Sequence, residues 1–316
     1  MELLSQRLAL ALQTGALDVL RGDEPATRRD RSHTLLRVYD LLLGDVAAQP
    51  DRARLAGHPA LADLKWRLES QWLDEMYADD ADELGALGDD AVAAMRALAA
   101  KDRLPGVYEW VAREASYDDL VRFLALEGGP DGGFDDLVAA CQMGLSGRPK
   151  LELAQNYWDE MGNGRLAAVH TTLHDDLVTA IDMPRIPLSE QPDEALERSA
   201  LGGLLATNHW LQPEMLGALG LIELQAGPRC RKVLAGLERT GAPQGAIPFY
   251  AEHAEVDPRH GKDWMDNAIV PYVEAHPDLS SRVLRGALWR SRANAAFFAR
   301  LGEDLGTASR KIEVAA

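Results

Sequence analysis

Apolar residues recur along most of the chain at intervals of three and four positions, which is the period of an α-helix. The two clearest stripes are Leu35, Leu36, Val38, Tyr39, Leu42 and Leu43, and Leu61, Leu64, Leu68, Trp72 and Met76. The chain shows no long alternation of β-branched and polar residues, which is the pattern of a half-buried strand. The pattern therefore predicts an all-α protein.

Short clusters of glycine and proline separate the helical stripes. They lie at 21–25, 49–50, 128–133, 184–187, 227–228 and 241–243. Because glycine often ends a helix and proline can begin the next, each cluster predicts a helix boundary. None resembles a long linker. We therefore expect one all-helical domain over residues 1–316, with accessory helices in 1–105 and a core in 106–305.

Composition and charge narrow the classes of function. The chain has 316 residues, 47% of them hydrophobic, and a formal net charge of −17. Nucleic-acid affinity comes mostly from cationic contacts to phosphate, so we expect neither nucleic-acid nor anionic-membrane partners. Cys141 and Cys230 are the only cysteines, which excludes a disulfide framework and a thiolate zinc site. Without a basic, apolar leader or a long apolar run, the sequence predicts a cytoplasmic protein. The acidic run 79–83 is interpreted as a solvated turn or helix start.

A candidate metal-binding face lies near the C-terminal end of the core. His253, Asp257 and His260 are spaced at four and three residues. On an α-helix these side chains project from one face, within about 40° of each other. Two imidazoles and a carboxylate suit iron, manganese or zinc. The alternative is an amphipathic helix whose histidines align without function. Pro258 predicts a kink that can displace Asp257 from a metal.

Further ligands are expected from other helices, as in helical-bundle metal sites. Glu160 and His170 would lie about 15 Å apart along an unbroken helix. The sequence 162–164, Gly-Asn-Gly, tolerates unwound backbone and predicts a break that draws them together. The alternative is an ordinary turn with Glu160 at the surface. Glu223 lies in an apolar run before the Gly-Pro pair at 227–228, where burial is costly unless it is paired or coordinated. It can equally face solvent.

Two more residues are weaker candidates. His174 lies one helical turn beyond His170 and is a candidate substrate contact, although a satisfied polar residue is the simpler interpretation. Glu127 can face a cavity or serve in a cap or a salt bridge.

Together these residues resemble the heme-oxygenase-like diiron oxidases and oxygenases, also described as iron-containing redox enzymes. The family pattern is a glutamate and a histidine on one helix, a glutamate on a second, and His-x3-Asp-x2-His on a third. The matching positions are Glu160, His170, Glu223, His253, Asp257 and His260. The sequences 156–162 and 249–253 are also similar to the family. The resemblance implies that these six residues bind metal within a heme-oxygenase-like helical bundle that has additional N-terminal helices.

The resemblance further implies an O2-dependent non-heme diiron oxidase or oxygenase. Its cofactors would be two Fe ions, with O2 as co-substrate. The substrate would be a small molecule such as an amino acid or derivative, undergoing N-oxygenation or oxidative C–C or C–N cleavage. The long gap between Glu160 and His170 is similar to the branch that contains N-oxygenases. Because no flavin or dinucleotide motif is evident, the electrons would come from an external donor or from the substrate. A homodimer is expected by the same analogy.

Alternatives remain open at this stage. The first is a metal-free helical hydrolase or binding protein of the related thiaminase-like fold. The second is a helical scaffold that binds partners through an apolar groove. A ferritin-like iron store is disfavoured because that fold supplies Glu-x-x-His pairs, a spacing that differs from the one here. The ligand set accepts manganese as well as iron.

Overall fold

The computed structural model describes residues 3–88, 90–128 and 133–306, which form helices joined by short turns. The helices are α1 (Leu4–Thr14), α2 (Arg28–Leu43), α3 (Pro50–Ala53), α4 (Pro59–Leu87), α5 (Ala91–Lys101), α6 (Gly106–Arg113), α7 (Tyr117–Glu127), α8 (Phe134–Cys141), α9 (Gly147–Glu160), α10 (His170–Ala180), α11 (Asp193–Thr207), α12 (Gln212–Thr240), α13 (Ile247–Asp263), α14 (Val270–Ala275) and α15 (Ser280–Asp304). A π-helical turn, Trp264–Ile269, links α13 to α14. No strand occurs in the described ranges, which confirms the all-α prediction.

Helix α12 lies at the centre of the fold, packed against α13, α15 and α6. Its first half is buried on nearly every side, which explains why the sequence there is almost continuously apolar. The neighbouring backbones approach closely at glycines. A Cβ at Gly217 would lie 1.9 Å from the carbonyl oxygen of Val283, and one at Gly286 would lie 1.7 Å from that of Glu214. These glycines therefore set the close packing of α15 on α12.

The N-terminal helices pack onto the core through α11. Helix α2 contacts α1, α4 and α11, and α15 contacts both α11 and α4. The stripe in α4 is buried as expected, with Leu64 and Leu68 fully enclosed. In α2, however, Leu42 and Leu43 are 39% and 43% exposed, because they lie in the last turn beyond the contact with α11.

The boundary predicted at 227–228 is wrong, since α12 continues through Pro228 to Thr240. A proline removes one helical hydrogen bond, but burial of the helix on several sides offsets that cost. Gly227 lies against α13, where a Cβ would be 2.9 Å from Cδ of Pro258. Helix α13 in turn is continuous through Pro258. The predicted end at 241–243 is confirmed, because Gly241 closes α12 with a φ of 70°.

The acidic run 79–83 is not a solvated turn, because it lies inside α4. Asp80 is 2% exposed. Its carboxylate accepts a hydrogen bond of 2.9 Å from Nε1 of Trp289 and pairs with Arg292 at 2.8 Å. This acid therefore ties the N-terminal helices to α15. Of the glycine-proline cluster at 128–133, residues 129–132 lie outside the described ranges.

The longest helices have mixed polar and apolar surfaces. In the described part of the chain, no helix combines the length and the hydropathy needed to cross a lipid bilayer.

Candidate metal centre

Four helices of the core carry the residues expected to bind metal. Helix α9 carries Glu160, α10 His170 and α12 Glu223, and α13 carries His253, Asp257 and His260. Five of these six side chains come together around one centre. The sixth, Asp257, lies beside it.

The break expected between Glu160 and His170 is confirmed. Helix α9 ends at Glu160, two short 3₁₀ turns follow, and α10 begins at His170. Gly162, Asn163 and Gly164 all adopt positive φ, and a Cβ at Gly162 would lie 2.4 Å from the carbonyl carbon of Ala168. The fold-back places Oε2 of Glu160 2.6 Å from Nδ1 of His170, although the two residues are ten positions apart.

The five side chains form two triads that share one residue. In the first triad, ligand atoms of Glu160, His170 and His253 lie within 4.8 Å of one another. In the second, Glu160, Glu223 and His260 satisfy the same distance. Glu160 is therefore common to both groups of metal-binding side chains.

The orientation of the histidine nitrogens fits a metal better than a set of internal hydrogen bonds. Nδ1 of His170 and Nδ1 of His260 are buried and have no hydrogen-bond partner in the described residues. Nδ1 of His170 lies 2.6 Å from Oε2 of Glu160, the nearest acid of the centre. A buried polar atom such as Nδ1 of His260 is typically satisfied by an ion or a water.

Neighbouring oxygens set which ring nitrogen each histidine presents. Nδ1 of His253 lies 2.7 Å from the carbonyl oxygen of Phe249, one turn earlier in α13. A donated bond there leaves Nε2 as the metal-binding nitrogen. Nε2 of His260 lies 3.0 Å from Oδ2 of Asp159 and leaves Nδ1 facing Glu223 at 3.9 Å. Such outer contacts fix the tautomer and the orientation of a metal-binding imidazole.

The two other carboxylates have different surroundings. Oε1 of Glu223 accepts a hydrogen bond of 2.7 Å from Nδ2 of Asn156, which holds this side chain toward the centre. Asp257 belongs to neither triad. Its Oδ2 lies 4.0 Å from Sγ of Cys230, and the residue is 2% exposed. Helix α13 continues through Pro258, so the kink expected there is not what sets this position, and a role for Asp257 as a ligand stays a prediction.

The acids of the centre raise one another's pKa. Burial, and then the charge of Glu160, raises the pKa of Glu223 to about 8. Burial and Glu223 raise the pKa of Asp257 well above its usual range. Burial and the adjacent His170 lower the pKa of His253 to about 4. Burial would lower the pKa of His170, but the neighbouring Glu160 outweighs that effect and raises it. The site thus concentrates buried acids that a divalent cation would stabilise.

Asp159 is a functional candidate that the sequence analysis missed. Burial alone would raise its pKa, but hydrogen bonds from His260 and Asn163 outweigh that effect and the pKa is lowered. Its Oδ2 also accepts a bond of 2.8 Å from Arg259. No spacing rule separates Asp159 from any other acid beside Glu160. Only the fold shows that it faces His260.

A cavity of about 350 Å³ opens beside the centre. Apolar side chains, including Leu124, Leu137, Phe249 and Phe298, line much of it. His174 also lines it, packed edge-on to Phe249 with ring centroids 5.2 Å apart. Burial lowers the pKa of His174, so its neutral form is favoured. Glu127 faces the same cavity and accepts a hydrogen bond of 3.1 Å from the hydroxyl of Tyr108. The volume suits one small molecule next to the metal-binding residues.

Comparison with known proteins agrees with this geometry. No curated protein matches the chain. The model of one protein family, the iron-containing redox enzymes, matches residues 121–295, more than half of the chain. The match includes both triads and confirms the family expected from the sequence. The donor set, the all-helical fold and this match lead to one conclusion: the chain belongs to the iron-containing redox enzyme family.

Proposed function

We propose that the protein is an O2-dependent non-heme diiron oxidase or oxygenase that acts on a small molecule, an amino acid or a derivative of one. The observation that supports two metal ions is the sharing of Glu160 by two triads of metal-binding side chains. A mononuclear site would need only one of these triads. The membership of an iron-containing redox family supports iron over other divalent metals.

In this proposal the residues of the two triads would hold the ions: His170 and His253 would hold one, Glu223 and His260 the other, and Glu160 would contribute to both. Bound ferrous ions would supply the electrons that activate O2. Asp159 and the carbonyl of Phe249 keep the imidazoles in the tautomers required for binding. The apolar walls of the cavity exclude water from the reacting atoms. An external donor or the substrate itself would restore the electrons.

Anaerobic titration of the metal-free protein with Fe(II) tests the proposal. We expect two irons per chain in the wild type. Because the triads share one residue, we expect at most one iron in His170→Ala or in His260→Ala, and none in Glu160→Ala. Glu255→Ala is the matched control, since Glu255 is an exposed acid on the same helix as His260. It should bind two irons.

Mixing the iron-loaded protein with O2 tests the redox chemistry. We expect the bound Fe(II) to be oxidised faster in the wild type than in His170→Ala or His260→Ala. The oxidation is monitored by visible absorption. An amino-acid substrate should change that rate when it is bound. A protein that takes up no iron and shows no O2-dependent signal would contradict the proposal and favour a metal-free hydrolase or binding protein.

A further inference from the structure

The cavity beside the metal centre has a second group of polar lining residues, on a different set of helices. The metal-binding residues lie on α9, α10, α12 and α13, whereas this second group lies on α6, α11, α12 and α15. Its residues are Tyr108, Arg198, Arg229, Arg290 and Asn294. Helix α12 contributes to both groups, Glu223 to the first and Arg229 to the second, and it packs against both α13 and α15.

The first observation is that the buried amide of Asn294 is unsatisfied within the described residues. It lines the cavity and is 2% exposed, yet neither Oδ1 nor Nδ2 has a hydrogen-bond partner in the described residues. Leaving a buried amide unsatisfied costs about 1–3 kcal/mol for each group. Native proteins seldom retain such a group unless a ligand or a water satisfies it. Asn294 can donate one hydrogen bond and accept another.

The second observation is that neutral acceptors hold the guanidinium of Arg229. Its Nε and Nη2 donate to the carbonyl oxygens of Arg103 and Asp102 at 3.2 and 2.7 Å, and Nη2 also donates to Gln225 at 2.8 Å. These acceptors are neutral, and no carboxylate in the described residues forms an ion pair with Arg229. The guanidinium is thus held in a fixed position with its positive charge retained. The cation also lies over the ring of Phe298, 4.9 Å from its centroid.

The two residues belong to one surface of the cavity. Arg290, Asn294 and Phe298 follow one another at four-residue intervals on α15, so they share a helical face. Arg198 and Arg290 add further positive charge to this end, while Glu127 is an acid close to it. Three arginines, Arg198, Arg229 and Arg290, and one acid, Glu127, thus lie at this end, in contrast to the acid-rich metal centre.

We propose that Asn294 and Arg229 form a subsite for the carboxylate of an amphiphilic substrate, whose apolar part extends across the cavity to the metal centre. This inference rests on the proposed function for the identity of the reacting end. Along α12, Arg229 lies about 9 Å beyond Glu223 in axial rise. The atom that reacts is therefore remote from the carboxylate. For an amino acid, this orientation directs the end of the side chain to the metals.

Isothermal titration calorimetry of the metal-free protein with octanoate and with octanamide tests the subsite. The two probes have the same chain but differ in charge. We expect octanoate to bind about 10- to 100-fold more tightly than octanamide, the range typical of hydrogen bonds to a charged group. Arg229→Met should abolish that preference. Arg113→Met is the matched control, because the Arg113 side chain is 70% exposed and does not line the cavity.

Asn294→Leu tests the subsite independently, in case Arg229→Met folds poorly. Replacing an unsatisfied buried amide by an apolar side chain of similar size should not destabilise the fold. We expect this variant to melt at or above the wild-type temperature and to bind octanoate about 10-fold more weakly. Binding unchanged in Asn294→Leu, or equal affinity of the wild type for both probes, would overturn the subsite.

A third variant tests the orientation. His170 lies at the metal end of the cavity, so His170→Gln should weaken octanoate binding to the metal-free protein less than Asn294→Leu does. After anaerobic addition of Fe(II), octanoate affinity should again depend more on Asn294 than on His170. Octanoate binding that depends on His170 instead of Asn294 would place the carboxylate at the metals and refute the inference. Because the first titrations need neither iron nor O2, failure of the diiron proposal and failure of the subsite are separate results.

Discussion

Glu223 tests whether buried charge destabilises the metal centre when no metal is bound. We expect this carboxyl group to lower the stability of the metal-free protein. The residue is 4% exposed, and its pKa is raised from 4.5 to about 8 by burial and by Glu160. At pH 7 the folded protein keeps a proton on this carboxyl, whereas the unfolded chain has released it. We therefore expect Glu223→Gln to stabilise the metal-free protein, although it should lose a metal.

The size of the effect follows from the linkage between protons and folding. Between pH 4.5 and pH 7, the ionisation of Glu223 in the unfolded chain lowers the free energy of unfolding by about 1.4 kcal/mol per pH unit, or about 3 kcal/mol in all. The group's contribution to stability is greatest below pH 4.5 and falls as pH rises through 8, the sign for an acid whose folded pKa is raised. The glutamine has no such dependence. Its amide oxygen can still accept the hydrogen bond that Asn156 donates to Glu223.

Urea denaturation followed by circular dichroism, with a chelator present, measures the difference. We expect Glu223→Gln to exceed the wild type by up to about 3 kcal/mol at pH 7, and by little near pH 5. Adding Fe(II) should reverse the order, since the wild type is expected to bind two ions and Glu223→Gln at most one, and each bound ion stabilises the folded state.

Glu214→Gln is the matched control on the same helix. Glu214 is fully buried, but Arg282 donates two bonds of 2.7 Å to its two oxygens. Removing that charge leaves a cation without its partner, so this variant should be less stable than the wild type at every pH. A Glu223→Gln variant no more stable than the wild type at pH 7, or one whose advantage is independent of pH, would refute the reasoning.

Three other substitutions test separate parts of the structure. Asp159→Ala should weaken Fe(II) affinity about 10- to 100-fold in a competition titration, because His260 loses its orienting acceptor, and Asp159→Asn should restore part of it. Gly217→Ala should lower the free energy of unfolding in urea by about 1–3 kcal/mol by forcing α15 from α12, whereas Gly85→Ala, which meets no atom within 4 Å, should not lower it. Asp80→Ala should lower the melting temperature, with a loss of about 3 kcal/mol from its buried pair with Arg292.

The sequence alone predicted much of the fold because helical periodicity is a local property. Stripes such as Leu61, Leu64 and Leu68 identify a helix and its buried face without knowledge of its neighbours. The break at 162–164 was also predictable, since glycine and asparagine tolerate positive φ wherever they occur. The family was recognised from six residues of three types, Glu, His and Asp, in a fixed order, which needs no coordinates.

The wrong predictions share a different cause. Gly227 and Pro228 look like a helix end, yet packing of α12 against α13 and α15 carries the helix through them. Asp80 looks solvated, yet α15 supplies Trp289 and Arg292 as partners more than two hundred residues away. In both cases a contact distant in sequence outweighs a local preference.

For the metal centre too, some properties follow from the sequence and others only from the tertiary structure. The sequence by itself determined which residue types are available to hold metal, because their spacing along each helix sets the face from which they project. Only the tertiary structure decided that Glu160 is shared by two triads, that Asp257 lies aside, and that Asn294 faces the cavity with no hydrogen-bond partner among the described residues. Those properties are distances between helices, and the raised pKa of Glu223 depends on them as well. Helical periodicity cannot supply such distances, since the packing of side chains between helices sets them.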